Sequence, residues 1–226
     1  SGLRFGSDSR DGKGIMRVID LYTWMTPNGQ KVSIMLEEVG LPYRVHRIDI
    51  ENRAQFDPAF LKISPNNKIP AIVDHDTGLQ LMESGAILLY LAEKSDLLMP
   101  QDFEAKWRTH EWLMWQMGGA GPFLGQVHHF VAYNPGKSSY GEERYTKEAR
   151  RLWQVLETRL GEVEYVAGDY TVADISIWPW IARYPIQPVE MDDHPNIKRW
   201  YHAIAARPAV QRGWDVVGEG RELPLP

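Results

Sequence analysis

Two short stretches bring together groups able to hold a peptide by its backbone and by its charge. The first is Ser64-Pro65-Asn66-Asn67-Lys68-Ile69-Pro70, which runs into the apolar Ala71-Ile72-Val73. The second is Glu83-Ser84-Gly85-Ala86-Ile87, reached through turn residues Asp74 to Gly78 and a returning strand, Leu79 to Met82. A proline that opens a strand removes no ladder bond that matters, and it pushes Ile69 toward an extended backbone. An extended residue at a sheet edge offers its N–H and C=O to a ligand's peptide group, as in strand addition. Ser84 begins an almost wholly apolar helix, so its hydroxyl and the neighbouring N–H groups can take a carboxylate. A backbone clamp beside a carboxylate cradle describes a site for a small acidic peptide.

Asn67-Lys68-Ile69-Pro70 followed by Glu83-Ser84 resembles the glutathione site of the glutathione transferase superfamily. The resemblance implies that Ile69 pairs with the cysteinyl backbone beside a cis Pro70, and that Glu83-Ser84 holds the γ-glutamyl end. Ile19-Asp20-Leu21-Tyr22, Thr26-Pro27-Asn28-Gly29, the Ser64 to Pro70 heptad and Glu83 to Glu93 are similar, more narrowly, to the bacterial Nu-class transferases. These act as disulfide-bond reductases, and the yeast nitrogen-regulation prion protein is among their relatives. The similarity runs from about Arg17 to Trp214. It implies an α/β thioredoxin-like N-terminal domain followed by an all-α C-terminal domain, the glutathione transferase fold. It further implies glutathione as co-substrate, a two-fold homodimer, and a contact of Gln55 with the glycyl end.

The turn after the first strand is where a thioredoxin carries its redox cysteines. Here it reads Thr26-Pro27-Asn28-Gly29, and the chain has no cysteine at all. Disulfides, thiolate metal sites and protein-borne thiol chemistry are excluded together, so any thiol must arrive on a bound small molecule. A free thiol has a pKa of ~8.5, and a helix N-terminus with hydrogen-bond donors lowers it by about 1–3 units. The Thr26 hydroxyl and the Asn28 amide are the expected donors, hence the candidate catalytic residues. The plain alternative is that both belong to a helix start, Thr26 as N-cap with proline at the first helical position. Tyr22 is the rival donor.

The remaining candidates each have an ordinary alternative. Lys68 is placed to reach the glycine carboxylate, or is a solvated loop lysine. Glu83 meets the peptide's ammonium group, or is an acid favoured by the helix dipole. Arg144, within Glu142-Glu143-Arg144-Tyr145, supplies a positive charge to a carboxylate, or sits on a solvated face. His128-His129 invites a metal reading, but adjacent helical residues point about 100° apart and no cysteine is available. No metal is expected. Trp112, Trp115, Trp178 and Trp180 fall in the helical half, which in the resembled family forms the wall facing the second substrate.

The elements that must position these groups follow from spacing. Arg17 to Tyr22 alternates as a strand, with Val18, Asp20 and Tyr22 on one face. Val32, Met35, Leu36 and Val39 mark a helix stopped by Gly40. Pro42 to Ile50 reads as a second strand, parallel to the first through a right-handed crossover, and Asp57 to Leu61 as a short helix. Leu97 to Phe103 reads as a linker. Beyond it Gly118-Gly119-Ala120-Gly121-Pro122 should break or kink a helix, Tyr145 to Leu160 is helical, Thr171 to Asp174 is a capping motif, and Pro195 to Ala206 is the last clear helix. The expected division is 1–16 as an extension, 17–96 thioredoxin-like, 104–214 all-helical, and 215–226 as a tail.

At 226 residues with 43% hydrophobic content the chain can bury a sizeable core. A net charge of −5 without a Lys/Arg cluster argues against nucleic acid. No apolar run approaches membrane-spanning length and no secretory signal is apparent, so no membrane partner and a cytoplasmic location are expected. The sequence thus leads to a glutathione transferase acting mainly as a disulfide-bond reductase. Its substrate would be a small disulfide or an electrophile, with glutathione or glutathione disulfide bound. Two alternatives stand beside it: conjugation or ether cleavage of an electrophilic carbon, and a non-catalytic glutathione-binding regulator.

Overall fold

The computed structural model describes residues 18–226; Arg17 and the expected extension over 1–16 lie outside them. The chain divides into two compact units. One reaches Leu97 and takes in Arg212–Arg221, and the other comprises Leu98–Gln211 with Glu222–Pro226.

The first unit is a four-stranded sheet with helices. Its strands are Ile19–Thr23 (β1), Tyr43–Arg47 (β2), Ala71–Asp74 (β3) and Leu79–Met82 (β4), in the order β2-β1-β3-β4. β1 and β2 are parallel, while β1–β3 and β3–β4 are antiparallel. The helices are Pro27–Val39 (α1), Pro58–Leu61 (α2) and Ser84–Ser95 (α3). Each starts where the sequence places a start signal. Thr26 caps α1 through Gly29 N–H at 3.2 Å, and Gly40 stops it in the left-handed region. Asp57 caps α2 through Ala59 N–H at 2.7 Å.

The second unit is helical: Phe103–Trp115 (α4), Gly121–Val127 (α5), Ser139–Glu162 (α6), Val172–Ile181 (α7), Pro195–Ala205 (α8) and the start of Pro208–Trp214 (α9). Trp153, Trp178, Trp200 and Tyr201 are fully buried at its centre. The capping box at α7 is formed. Asp174 accepts from Thr171 N–H at 3.1 Å, and also from Val166 N–H and the Trp200 indole, so one carboxylate ties a loop and α8 to the start of α7.

Three differences from the sequence reading have physical causes. The glycine-rich stretch does not break the helix. The turns Gln116–Ala120 and His128–Tyr133 widen to π geometry on either side of α5, so the chain stays helical through it. The helix predicted to end at Ala206 does stop there, α8 closing at Ala205, but it is not the last: a proline at the first position of a helix sacrifices no bond, and α9 follows from Pro208. Finally, residues 212–221 group with the first unit rather than continuing the helical part or trailing as a tail. Ser33 on α1 donates to the Gly213 carbonyl at 2.6 Å and Gln30 donates to that of Trp214 at 3.1 Å. A Cβ at position 213 would lie 2.6 Å from the Ile34 Cα, so only glycine permits this approach. α1 is therefore buried nearly all round its first two turns, far beyond its apolar stripe.

Candidate functional site

Strand register assembles the site. Ala71, the first residue of β3, is paired with Tyr22 on one side and with Met82 on the other. The exit from β1, the entry to β3 and the exit from β4 therefore lie together at one end of the sheet. The segments attached to those three ends are the Thr26 turn, Ile69-Pro70 and Glu83-Ser84. Side-chain packing agrees: Trp24 and Met25, buried just before Thr26, form a cluster against which Ile69 and Ile50 pack.

At the first segment, Thr26 and Asn28 are both half-buried at the head of α1. The Thr26 oxygen accepts the Gly29 N–H, and a hydroxyl that accepts one bond still has its own hydrogen to donate. Capping and donation are thus compatible in one side chain. Gly29 itself is obligatory, because a Cβ there would stand 2.3 Å from the Trp24 carbonyl oxygen and 2.4 Å from the Thr23 hydroxyl.

At the second segment, the buried Ser64 donates to the Lys68 carbonyl at 2.8 Å, and its own carbonyl accepts the Asn67 N–H at 2.9 Å. Asn67 adopts φ +48°, as a turn former does. The Ile69–Pro70 bond is cis, and β3 begins one residue later, so Ile69 lies just outside the ladder. Lys68 is exposed. Gln55 falls in a single 3₁₀ turn, Ala54–Phe56, and its Oε1 is buried with no hydrogen-bond partner among the described residues. A buried amide oxygen without a donor costs about 1–3 kcal/mol; a ligand N–H would relieve it.

At the third segment, Glu83 is exposed and holds φ +72°, a conformation that is strained for a residue with a side chain. It bends the chain sharply from β4 into α3, so that α3 opens on the buried Ser84. Lys31 of α1 reaches the Ser84 hydroxyl at 3.2 Å. Its place among apolar neighbours gave no signal in the sequence that it would be anything but a surface lysine.

With this geometry the similarities to known proteins can be set out. Residues 17–93 match the family description "Glutathione S-transferase, N-terminal domain", and residues 122–208 match "Glutathione S-transferase, C-terminal domain". The chain belongs to the glutathione S-transferase family. It is 48% identical over 199 residues to the disulfide-bond oxidoreductase YfcG of Escherichia coli, covering 85% of this chain and 93% of that protein. It is 42% identical over 212 residues to the disulfide-bond oxidoreductase YghU of the same organism, covering 86% and 73%. A glutathione transferase of Pseudomonas putida, crystallised with one glutathione disulfide per subunit, superposes with a TM-score of 0.83 at 42% identity, covering 90% of this chain and 93% of that one.

Other candidate residues of this glutathione S-transferase lie on further elements of the two units. Arg144 is on α6, in the helical unit, beside a cleft of about 540 Å³ that Phe123, Tyr140 and Lys147 also line. Tyr22, the rival donor, is stacked on His46 of β2 with ring centroids 4.6 Å apart, and burial, reinforced by Asp20, holds its phenol above the usual value. Trp178 is core, its indole N–H donating to the Tyr201 carbonyl at 3.1 Å, whereas Trp112 and Trp115 are half-exposed and packed edge to face. His128 is buried with Nε2 3.2 Å from Gln187, while the His129 ring meets Phe130 edge-on. Among the described residues no group of three or more His, Asp or Glu side chains is arranged to hold a metal ion.

Proposed function

We propose that this glutathione S-transferase reduces disulfide bonds with glutathione as the source of every thiol. One observation carries the reading: a thioredoxin-like sheet presents the N-terminus of its first helix, capped by Thr26, in a chain that has no cysteine. The naming of YfcG and YghU as disulfide-bond oxidoreductases supports it, as does the glutathione disulfide in the Pseudomonas putida structure.

The Thr26 hydroxyl and the Asn28 amide donate to the glutathione sulfur and hold it as thiolate. Ile69, beside Pro70, pairs its N–H and C=O with the cysteinyl backbone. Glu83 takes the γ-glutamyl ammonium and Ser84 the γ-glutamyl carboxylate. Gln55 and Lys68 hold the glycyl end, and Arg144 supplies further positive charge to a carboxylate. The thiolate attacks one sulfur of the substrate disulfide, forming a mixed disulfide and expelling the other sulfur as a thiolate that takes up a proton. A second glutathione thiolate attacks the glutathionyl sulfur of that mixed disulfide and expels the remaining thiol. Two glutathiones and one disulfide thus become glutathione disulfide and two thiols. A reaction that consumes reduced glutathione suits a cytoplasmic enzyme, and we assign the homodimer of its family to it.

The test is a coupled assay with glutathione and a small disulfide, in which glutathione reductase and NADPH report glutathione disulfide. Saturable turnover above the uncatalysed exchange supports the reading. No turnover, or turnover only of electrophilic carbon substrates to thioethers, overturns it.

A further inference from the structure

The segment after α9 is a built loop rather than a trailing end. α9 stops at Trp214, and the Asp215 carboxylate then gathers the backbone N–H groups of four successive residues. Its Oδ1 accepts from Gly218 and Glu219 at 3.0 Å each, and its Oδ2 from Gly220 at 2.7 Å and Arg221 at 3.2 Å. Gly218 and Gly220, at φ +78° and +70°, curl the chain so that these N–H groups converge, a backbone region open to glycine at no steric cost. The Trp214 indole closes the loop by donating to the Arg221 carbonyl at 3.1 Å. Glu219 pairs with Arg47 of β2, whose guanidinium stands 5.4 Å over the Trp24 ring. All of these residues belong to the first unit.

The loop carries Val217, which is buried with Trp24 and Met25 in one cluster, and Ile69, Ile50 and Val216 pack against that cluster. Two segments of the site meet there, and neither lies in a strand or a helix. Trp24-Met25 falls between the end of β1 and the start of α1, and Ile69 precedes the first residues of β3. Ladder bonds therefore do not aim the Ile69 backbone, and the packing of its side chain must. A hydrogen bond weakens steeply as donor and acceptor turn out of line, so a clamp made of one N–H and one C=O depends on that packing. We propose that Asp215 and Val217 are positioning residues for glutathione: the loop held by Asp215 seats Val217 in the cluster beneath Ile69, and so keeps the Ile69 N–H and C=O in line with the cysteinyl backbone. The role rests on the reading of Ile69 as the backbone clamp.

The test compares glutathione with its analogue methylated on the cysteinyl amide nitrogen, which has no N–H to give to the Ile69 carbonyl. Dissociation constants are measured by titration calorimetry for the wild type, Val217→Ala, Asp215→Ala and Asp215→Asn, all as the full chain, with each fold checked by circular dichroism. The wild type should bind the methylated peptide more weakly than glutathione. In Val217→Ala and Asp215→Ala, glutathione should bind about 3- to 10-fold more weakly, the loss of one neutral hydrogen bond. The methylated peptide should lose less, because one of the two clamp bonds is already gone from it. Asp215→Asn keeps one acceptor oxygen for the loop and should fall between the wild type and Asp215→Ala. Unchanged glutathione binding in both alanine variants, or an equal loss for the two peptides, overturns the proposal and leaves the loop as packing for the first unit; loss of the fold in both has the same meaning. If the wild type binds the methylated peptide as tightly as glutathione, the Ile69 reading itself fails, and the proposal with it.

Discussion

The proposed mechanism gives Thr26 a second duty besides capping, on the same oxygen, and a short substitution series separates the two. As a cap, it accepts the Gly29 N–H at 3.2 Å, and its loss to alanine should cost about 0.5–2 kcal/mol of stability. As a donor in the proposed mechanism, it gives its hydrogen to the sulfur of bound glutathione. A hydrogen bond to a charged acceptor contributes ~1.5–3 kcal/mol, and at 1.36 kcal/mol per unit this shifts the thiol by about 1–2 pKa units. Thr26→Ser keeps both duties and should leave the bound thiol and turnover close to wild type. Thr26→Ala should raise the thiol pKa by about 1–2 units and lower turnover at neutral pH. Thr26→Asp keeps the cap but sets a negative charge beside the sulfur, which disfavours the thiolate. It should fold well and be the least active of the three. Asn28→Ala should also raise the thiol pKa, and its effect need not add to that of Thr26→Ala if both donors serve one sulfur. The assay is titration of the ultraviolet absorbance of the bound thiolate in each protein, with thermal unfolding alongside. A pKa that is the same in every variant would refute the reasoning: Thr26 would be a cap alone, and thiol activation would have to be sought first at Tyr22.

Three further outcomes are expected. Treating the protein with iodoacetamide and removing the reagent before assay should leave disulfide reduction intact, because the chain has no thiol to block; lost activity would contradict a glutathione-only mechanism. Gly29→Ala gains up to about 1 kcal/mol in helix propensity, but the new Cβ would press on the Trp24 carbonyl at 2.3 Å, and overpacking against an immovable group costs about 1–3 kcal/mol or more. The melting temperature and turnover should therefore both fall, and a stabilised, active variant would show that the β1–α1 turn yields. His128 should make the protein acid-sensitive. Gln187 gives its carbonyl oxygen to the Trp153 indole and so turns its NH₂ toward the His128 ring nitrogen, which must be an acceptor and hence neutral. Burial lowers its pKa from 6.5 to about 4, so its contribution is full above pH 6.5 and is lost as pH falls toward 4, by roughly 3 kcal/mol at most. Urea unfolding from pH 7.5 to 4 should show a smaller loss of stability for His128→Phe than for the wild type, and equal losses would remove His128 from the account.

What could be read from the chain was whatever is fixed by local chemistry. Thr26-Pro27 and Asp57-Pro58 pair a capping side chain with a proline suited to the first helical position, and the turn residues Asp74 to Gly78 carry the chain back into β4. Once that hairpin exists, antiparallel pairing with β1 brings Pro70 and Glu83 beside the Thr26 turn. The nearness of these three segments was therefore legible, because they hang on adjacent strand ends. The residues that escaped notice are those whose environment comes from remote sequence. Lys31 looks like a surface lysine until α3 lies across it, and Gln187 looks like a loop residue until His128 and Trp153 close on its amide.

The same cause explains the misplaced end of the first unit. α1 shows an amphipathic stripe of Val32, Met35 and Leu36, which predicts one buried face. Ser33 and Gln30, on the side the pattern assigns to water, instead donate to carbonyls of residues 213 and 214, some 180 positions away. A polar side chain that meets a backbone carbonyl is as well satisfied as one in water, so burying that side of α1 requires no change in its hydrophobic pattern. Periodicity detects apolar burial alone. It cannot distinguish a helix half in water from one whose polar face is closed by another segment's backbone. The signal that remains is Gly213, needed where two segments of the chain approach too closely for a Cβ, and a lone glycine inside a helical pattern does not say which segment it will meet.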